Sequence, residues 1–580
     1  MDTFRDTSRR NIIILILFII LLQLFTSTYF MATQKNGYYA DDMYSYGFAN
    51  SPGTFTPLEV NGEVDGELNI NQWMSGDVLK DFLTVSEEER FSFDRVANTL
   101  KRDAHPPLYY YLLHMICSFF PGVFSQWFAF GINAVGFIIL QIYLYRLTLL
   151  ISHNRFFAIL TMSFFGFTSA AINIICLLRM YMLATAFTVA FTFYVMKYTL
   201  DSPEEGFKNK NLLPACLSLY LAAMTAYICV IFAFLLTLCM CCILLLKKAI
   251  KKMLFLGFSL FLSVALMIAS FPPFIDQISS DQIAMQGAEL YPYMLQVRTC
   301  IHVIFKGLFA LSTPIFPSMI PFYICTFLIA ITILYLIVFF LFRNDEWFRT
   351  FNKKTALWFK NILKKCIPYL FTLLPIIICC SLIILYCSKT LQIYYYKYLS
   401  MRYLFILTPF IAITLLVILF KSVRSKYICI IITLAITYLS IAYGDKCYLE
   451  TEYRSADISS VTEDSDVILV STQSAMFMNH IMDILKCRNY MYTNVKSVAE
   501  KKPGNNVAKK AESSGNMILL IDVDATSTSP VRTKVLDADG KEYLTKNVDN
   551  EVLRYFQSLS CFDEICFLGC YHDCYLYRLK

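Results

Sequence analysis

Two adjacent carboxylates, Asp41 and Asp42, share a polar stretch with a histidine, His105, in an otherwise apolar chain. The stretch opens Tyr38-Tyr39-Ala40-Asp41-Asp42 and closes Asp103-Ala104-His105-Pro106-Pro107-Leu108-Tyr109-Tyr110-Tyr111. Cations recur later: Arg179 in Leu177-Leu178-Arg179-Met180-Tyr181, then Lys389, Lys397 and Arg402 flanking Leu391-Gln392-Ile393-Tyr394-Tyr395-Tyr396. Carboxylates facing several cations suit transfer from a phosphate leaving group. A carboxylate takes the proton of an attacking hydroxyl, and the cations hold the charge that develops on phosphate. Each residue also has a plainer reading. Asp41-Asp42 can cap a helix, His105 before two prolines can be a turn residue, and Arg179 can snorkel to an interface. Lys389 and Lys397 can be headgroup anchors, and Tyr394 to Tyr396 an interfacial aromatic belt.

The elements that must position these groups cross a membrane. The 580 residues are 57% hydrophobic and 16% charged, with mean hydropathy +0.54. Apolar runs of about 20 residues, the length that spans a bilayer, recur along the chain. The net charge of +7 reflects cytoplasmic Lys and Arg; no basic, aromatic-interleaved tract suggests nucleic acid. Most of the 20 cysteines lie inside apolar runs, where Cys acts as a small hydrophobe.

Arg5, Arg9 and Arg10 precede the run from Asn11 to Phe30. That run is longer than a signal h-region, so it reads as an uncleaved anchor with a cytoplasmic N-terminus. Residues 31–107 then form a first outer loop. Within it, 87–100 approaches helical spacing and suits the membrane surface. Leu108 to Phe120 is too short to span and reads as an edge segment. Later runs, among them Phe156 to Leu178 and Ser318 to Phe342, alternate in direction and leave nearly every basic cluster on one side, giving about 11 spans. Residues 212–225 and 227–246 form a tight out-and-back pair within that count.

Beyond Gly444 the chain reads as a small extracytoplasmic α/β domain, 444–580, with buried strands at Asp466 to Ser471, Met517 to Asp522 and Ile565 to Leu568. It holds Cys447, Cys487, Cys561, Cys566, Cys570 and Cys574. The even number permits disulfides, and the Cys561/566/570/574 group with His572 fits no standard zinc spacing.

The segment Asp103 to His114, followed by Phe120-Pro121-Gly122, resembles the "HPPLYYLL" element of GT-C glycosyltransferases, in particular the protein O-mannosyltransferase and lipid A aminoarabinose transferase branch. Asp41-Asp42 stands where that family has an acidic pair, usually Asp-Glu. Arg179-Met180-Tyr181 resembles its Arg-x-Tyr, and Met401-Arg402-Tyr403-Leu404 with Pro409 its "RYL…P". The resemblance covers about 1–443. It implies an all-α, GT-C-like polytopic fold for 1–443, beside the small α/β domain, and inverting transfer of a sugar from a polyprenyl-phosphate donor to a cell-envelope hydroxyl on the non-cytoplasmic face. Carried over, Asp41 is the base with Asp42 as helper or the reverse. His105, Arg179, Arg402 and Lys397 contact the donor phosphate, and Asp103, Tyr109, Tyr181 and Tyr403 line the pocket. No metal ligand set is indicated, and metal dependence stays open. The pair here is Asp-Asp, and Ala226-Tyr227 lacks the histidine of the family's His-Tyr.

Other classes remain. A lipid-linked glycan flippase predicts charges through the membrane depth, whereas these span interiors are nearly free of them. A glycan polymerase relies on arginines in a large outer loop, and an inactive scaffold member of the family is a further alternative. No glycine-rich nucleotide fold precedes the spans, which argues against a soluble nucleotide-sugar enzyme. Few Trp and many Ile, Lys, Asn and Tyr suggest an AT-rich bacterium.

Overall fold

The structure is a computed structural model that describes residues 2–580 except 36, 52, 60–67, 104, 201–209, 280–292, 310–371, 390–400, 424, 445–457, 472–473, 475–476, 523–531, 537–541 and 572–573. The chain is mostly helical and spans the membrane repeatedly. Among the described residues eight helices are long and apolar enough to cross a bilayer, or nine if one bent pair is a single span. Expected span 318–342 lies outside the described residues.

The helices run α1 (Asp2–Thr33), α2 (Ala40–Asn50), α3 (Asp77–Leu83), α4 (Phe93–Leu100), α5 (Leu108–Ser118), α6 (Gln126–Ser152), α7 (Arg155–Gly166), α8 (Ser169–Cys176) and α9 (Tyr181–Leu200). They continue as α10 (Leu212–Ala223), α11 (Ile228–Leu246), α12 (Ile250–Ser270), α13 (Phe274–Ser279) and α14 (Tyr293–Phe309), then α15 (Thr372–Lys389). The last spans are α16 (Met401–Leu404), running through a 3-10 turn into α17 (Thr408–Ser422), and α18 (Lys426–Tyr443).

Two expected spans differ. α10 has 12 residues, too few to cross alone. The stretch expected as one helix from 156 to 178 is instead α7 and α8, bent by 58°. Thr168 causes the restart: its hydroxyl accepts from the Ala171 amide at 3.2 Å, capping α8 inside the break. In the outer loop, 87–100 splits into a 3-10 turn at Glu87–Glu89 and α4.

The extramembranous part is a six-stranded mixed sheet in the order β1-β3-β2-β4-β8-β7. Its strands are β1 (Trp73–Ser75), β2 (Asp466–Ser471), β3 (Asn489–Asn494), β4 (Met517–Asp522), β7 (Ile565–Tyr571) and β8 (Cys574–Leu579). A separate hairpin joins β5 (Arg532–Leu536) to β6 (Glu542–Lys546). β2, β3 and β4 are parallel and almost wholly buried, which is why β2 and β4 read as continuous apolar runs. The domain's helices are α19 (Ile458–Thr462), α20 (Phe477–His480), α21 (Val495–Ala499), α22 (Gly504–Ala511) and α23 (Asn547–Gln557).

One face of this sheet, with Ile468, Val470, Leu519 and Ile521, packs on Val507, Val552 and Phe556 of the domain's own helices. The opposite face, with Val467, Leu469, Tyr490 and Ile518, joins the core that includes Met43, Tyr46 and Phe48 of α2. The first outer loop also completes the sheet. β1 pairs antiparallel with β3, Tyr490 donates to the Pro57 carbonyl at 2.7 Å, and Thr493 donates to Asn71 Oδ1 at 2.6 Å. Residues 73–75 and 489–491 therefore lie on the same side of the membrane. Cys487, Cys561 and Cys566 are free thiols.

Gly76 marks the closest approach of loop and domain. Its amide donates to the Arg488 carbonyl at 3.0 Å, and a Cβ there would sit 1.9 Å from the Cys487 carbonyl oxygen. Backbone cannot yield as a side chain can. Gly76→Ala should therefore cost about 1–3 kcal/mol and expose the β1–β3 seam, read as earlier thermal unfolding and faster proteolysis near residue 76.

Candidate active site

The base candidates separate at the first turn of α2. Ala40 begins the helix after the extended Tyr39, and neighbouring helical positions point about 100° apart, so Asp41 and Asp42 face different surroundings. Asp42 is fully buried. Its Oδ2 pairs with Lys35 Nζ at 2.8 Å and accepts from the Tyr39 amide at 3.2 Å. Its Oδ1 accepts from the Leu178 amide at 2.8 Å. The capping alternative thus holds for Asp42, which serves the helix start and ties it to two other segments.

Asp41 faces the cations. Arg402 Nη1 lies 2.6 Å from its Oδ2, and Arg179 Nη2 lies 3.8 Å from its Oδ1. Burial alone would raise its pKa, but Arg402, Arg179 and His105 together hold the carboxyl below its ordinary value. The depression means that Asp41 remains a carboxylate, and a weak base, while these cations stay on it.

Arg179 sits where α8 has ended and α9 has not begun. The carbonyls released there are taken by Asn133 of α6, whose Nδ2 donates to Ile175 O at 3.1 Å and Leu177 O at 2.7 Å. Within a bilayer, broken helix is tolerated where such groups are re-satisfied. Asn133 and Asp42 therefore pin Leu177–Arg179 from two sides and set the direction of the guanidinium. Arg179 Nη1 donates to Tyr110 Oη at 3.0 Å. An arginine is not deprotonated in proteins, so the group stays cationic.

Arg402 reaches the same point from the last part of the chain. It donates to Tyr403 Oη at 3.1 Å and to Tyr39 Oη at 3.4 Å, with its guanidinium 4.9 Å from the Tyr403 ring centre. Arg179 Nε and Arg402 Nε are buried and make no hydrogen bond among the described residues. Two guanidiniums thus converge on one carboxylate and keep an N–H each for a further acceptor.

The other expected site residues fall around this centre, with one exception. His105 Nδ1 lies 2.6 Å from Asp103 Oδ2, and both act electrostatically on Asp41. Tyr181 meets Tyr403 edge-on, ring centres 6.2 Å apart. Tyr109 is fully buried behind Tyr110, at 5.9 Å. Lys397 lies outside the described residues. Lys35, Tyr39, Tyr110 and Asn133 were not expected. Asn133 carried a signal, as one of two amides, with Gln141, inside an apolar span. At the Ala226-Tyr227 position the tyrosine hydroxyl pairs with Gln277. No group of three His, Cys, Asp or Glu suited to a metal ion occurs among the described residues.

No family model matches the chain, and no curated protein does. Among solved structures it is similar to ArnT from Cupriavidus metallidurans in the apo state, at TM-score 0.48 and 10% identity over 98% of both chains. It is similar also to the same protein bound to undecaprenyl phosphate, at TM-score 0.44 and 10% identity over 98% of this chain and 97% of that one. At these values no residue role is carried over.

Removing one partner of the buried Lys35–Asp42 pair leaves the other charged and unpaired, which costs about 3–5 kcal/mol. Asp42→Ala and Lys35→Ala should each destabilise the detergent-solubilised protein on that scale. The double variant should lose clearly less than the sum, and additive losses in a thermal unfolding cycle would show that the pair is not coupled.

Proposed function

We propose that the chain is an integral-membrane inverting glycosyltransferase that moves a sugar from a polyprenyl-phosphate donor to a hydroxyl of a cell-envelope glycan, lipid or protein. The reading is carried by one observation: buried Arg179 and half-buried Arg402, each with a buried Nε–H that makes no hydrogen bond among the described residues, converge on a single carboxylate beside a membrane. The resemblance of the Asp103–His114, Arg179-Met180-Tyr181 and Met401–Leu404 segments to the GT-C family supports it. So does the undecaprenyl phosphate bound in one of the similar structures. We place the site outside the cytoplasm, on the side shared by 31–107 and 444–580.

The donor phosphodiester takes the positions on Arg179 and Arg402 that Asp41 contacts. Losing Arg402 raises the basicity of Asp41 at the moment the donor is in place. Asp41 then accepts the proton of the acceptor hydroxyl as its oxygen attacks the anomeric carbon. The bond from that carbon to the phosphate oxygen breaks, and its electron pair leaves on polyprenyl phosphate. A single displacement inverts the anomeric centre. Charge growing on the phosphate is met by the two guanidiniums and by His105, which Asp103 orients. This displacement of cation from base couples donor binding to base strength.

Two outcomes follow. Asp41→Asn should lower transfer from a labelled polyprenyl-phosphate sugar by about 10²–10⁴-fold, while leaving donor binding in place; equal transfer by native and variant protein would remove Asp41 from the mechanism. The acid limb of kcat/KM reports the free protein and that of kcat the loaded one. Because Arg402, Arg179 and His105 depress Asp41, the kcat/KM limb should lie below the ordinary carboxylate range and the kcat limb, with Arg402 on the phosphate, at higher pH. Coincident limbs would contradict the exchange of Arg402 between Asp41 and phosphate.

A further inference from the structure

His480 lies outside the centre just described, in the C-terminal domain, and is buried. Its Nδ1 is 3.1 Å from Asp483 Oδ2 and its Nε2 is 3.0 Å from Asp522 Oδ2. Ionised carboxylates only accept hydrogen bonds, so both ring nitrogens carry hydrogens and the ring is an imidazolium. Two carboxylates on one buried ring is an expensive arrangement for a site that merely packs.

Its position explains what is being held. β3 and β4 lie on opposite sides of β2, so the strand order reverses between β2 and β4, the place where open α/β sheets leave a crevice at the strands' carboxyl ends. Asp522 is the last residue of β4 and Ser471 the last of β2. α20, which ends at His480, is anchored there on one side. On the other side it packs on α2, the helix that carries Asp41. Phe477 at its start meets the Tyr490 ring of β3 at 5.5 Å and joins the core that holds Met43 and Tyr46.

We propose that His480 is a positioning residue for the Asp41 site: by clamping α20 between Asp483 and Asp522, it ties the sheet of the C-terminal domain to the base-bearing helix α2. The inference rests on the function proposed above and gives the C-terminal domain its part in it, as a brace for the base.

The clamp holds only while the ring is charged. Burial lowers its pKa, but the Asp483 and Asp522 hydrogen bonds prevail and raise it from 6.5 to about 9. A raised histidine pKa means that the clamp is complete below 6.5 and is lost as pH rises through about 9. The ionisable groups around it are Asp483 beyond α20, Asp522 on β4 and Tyr492 on β3. Burial first, with Asp522, pushes Tyr492 upward despite its Ser471 hydrogen bond, and Tyr44 on α2 is pushed up to about 12. Neither tyrosine accounts for a transition near 9.

The test compares the full-length native chain with Asp522→Asn, and with Asp483→Asn should the first not fold, in lipid nanodiscs. Hydrogen exchange of residues 40–50, corrected for intrinsic rates, is followed from pH 6 to 10 alongside transfer from a labelled polyprenyl-phosphate sugar. In the native chain, exchange of α2 should rise and kcat fall together as pH passes about 9. In either variant both changes should move down by roughly one pH unit, with KM for the donor unchanged and kcat at pH 6 within about twofold of native. If α2 exchange shows the transition and its shift but no donor supports transfer, the brace stands and the proposed function fails. If transfer occurs but neither exchange nor the alkaline limb moves in the variants, the positioning role of His480 is overturned.

Discussion

The arrangement depends on what Asp42 does with its two oxygens. One oxygen holds Lys35 and the Tyr39 amide, so the end of the first span and the start of α2 are fixed together. The other holds the Leu178 amide, so the break between α8 and α9 is fixed to the same point. A carboxylate accepting charged and amide donors makes bonds roughly twice as strong as neutral ones, and complete burial shields them from water and salt. Asn133 closes the same segment from the opposite side by taking two of its carbonyls. Asp41 and Arg179 then have no choice of direction. They meet because the residue beside each one is tied down.

Much of this was legible in the sequence, and the reasons are physical. Span length and apolar content mark the transmembrane helices because the bilayer imposes both. β2 and β4 have their expected bounds because parallel strands covered on both faces must be apolar throughout. β3, with Asn-Tyr-Met-Tyr-Thr-Asn, escaped that reading: its tyrosine hydroxyls are satisfied by Pro57 and Ser471, partners that no local pattern reveals. β1 escaped for a stronger reason, since its partner lies more than four hundred residues away in the chain. The choice between Asp41 and Asp42 was open because composition treats adjacent acids alike, whereas a helix turns them to different neighbours. His105, Arg179 and Arg402 were expected at one centre, and the fold places all three around Asp41.

The mixed origin of the sheet changes how the chain divides. A boundary at 443/444 separates apolar from polar composition, but β1, Pro57 and Asn71 of the first outer loop belong structurally with 466–494. One face of the sheet is covered by the domain's helices and the other by the core that contains α2. Removing the C-terminal residues would therefore strip apolar cover from the helix that carries the acidic pair. The sheet is a wall of the site's own scaffold.

Charge balance links the resting arrangement to the proposed chemistry. Two guanidiniums taken out of water without a counter-ion carry a penalty of several kcal/mol each, which would oppose folding. Asp41 offsets that penalty by standing between them. Arg179 and Arg402 against one carboxylate leave a single positive charge, which matches the single negative charge of a phosphodiester. A donor of that kind completes the local neutralisation without requiring any charged group to be newly buried by the protein. In the proposed mechanism it also relieves Asp41 of the cation that weakens it as a base. On that mechanism, the contact that offsets the burial of the two guanidiniums is therefore the one a donor phosphate takes over from Asp41.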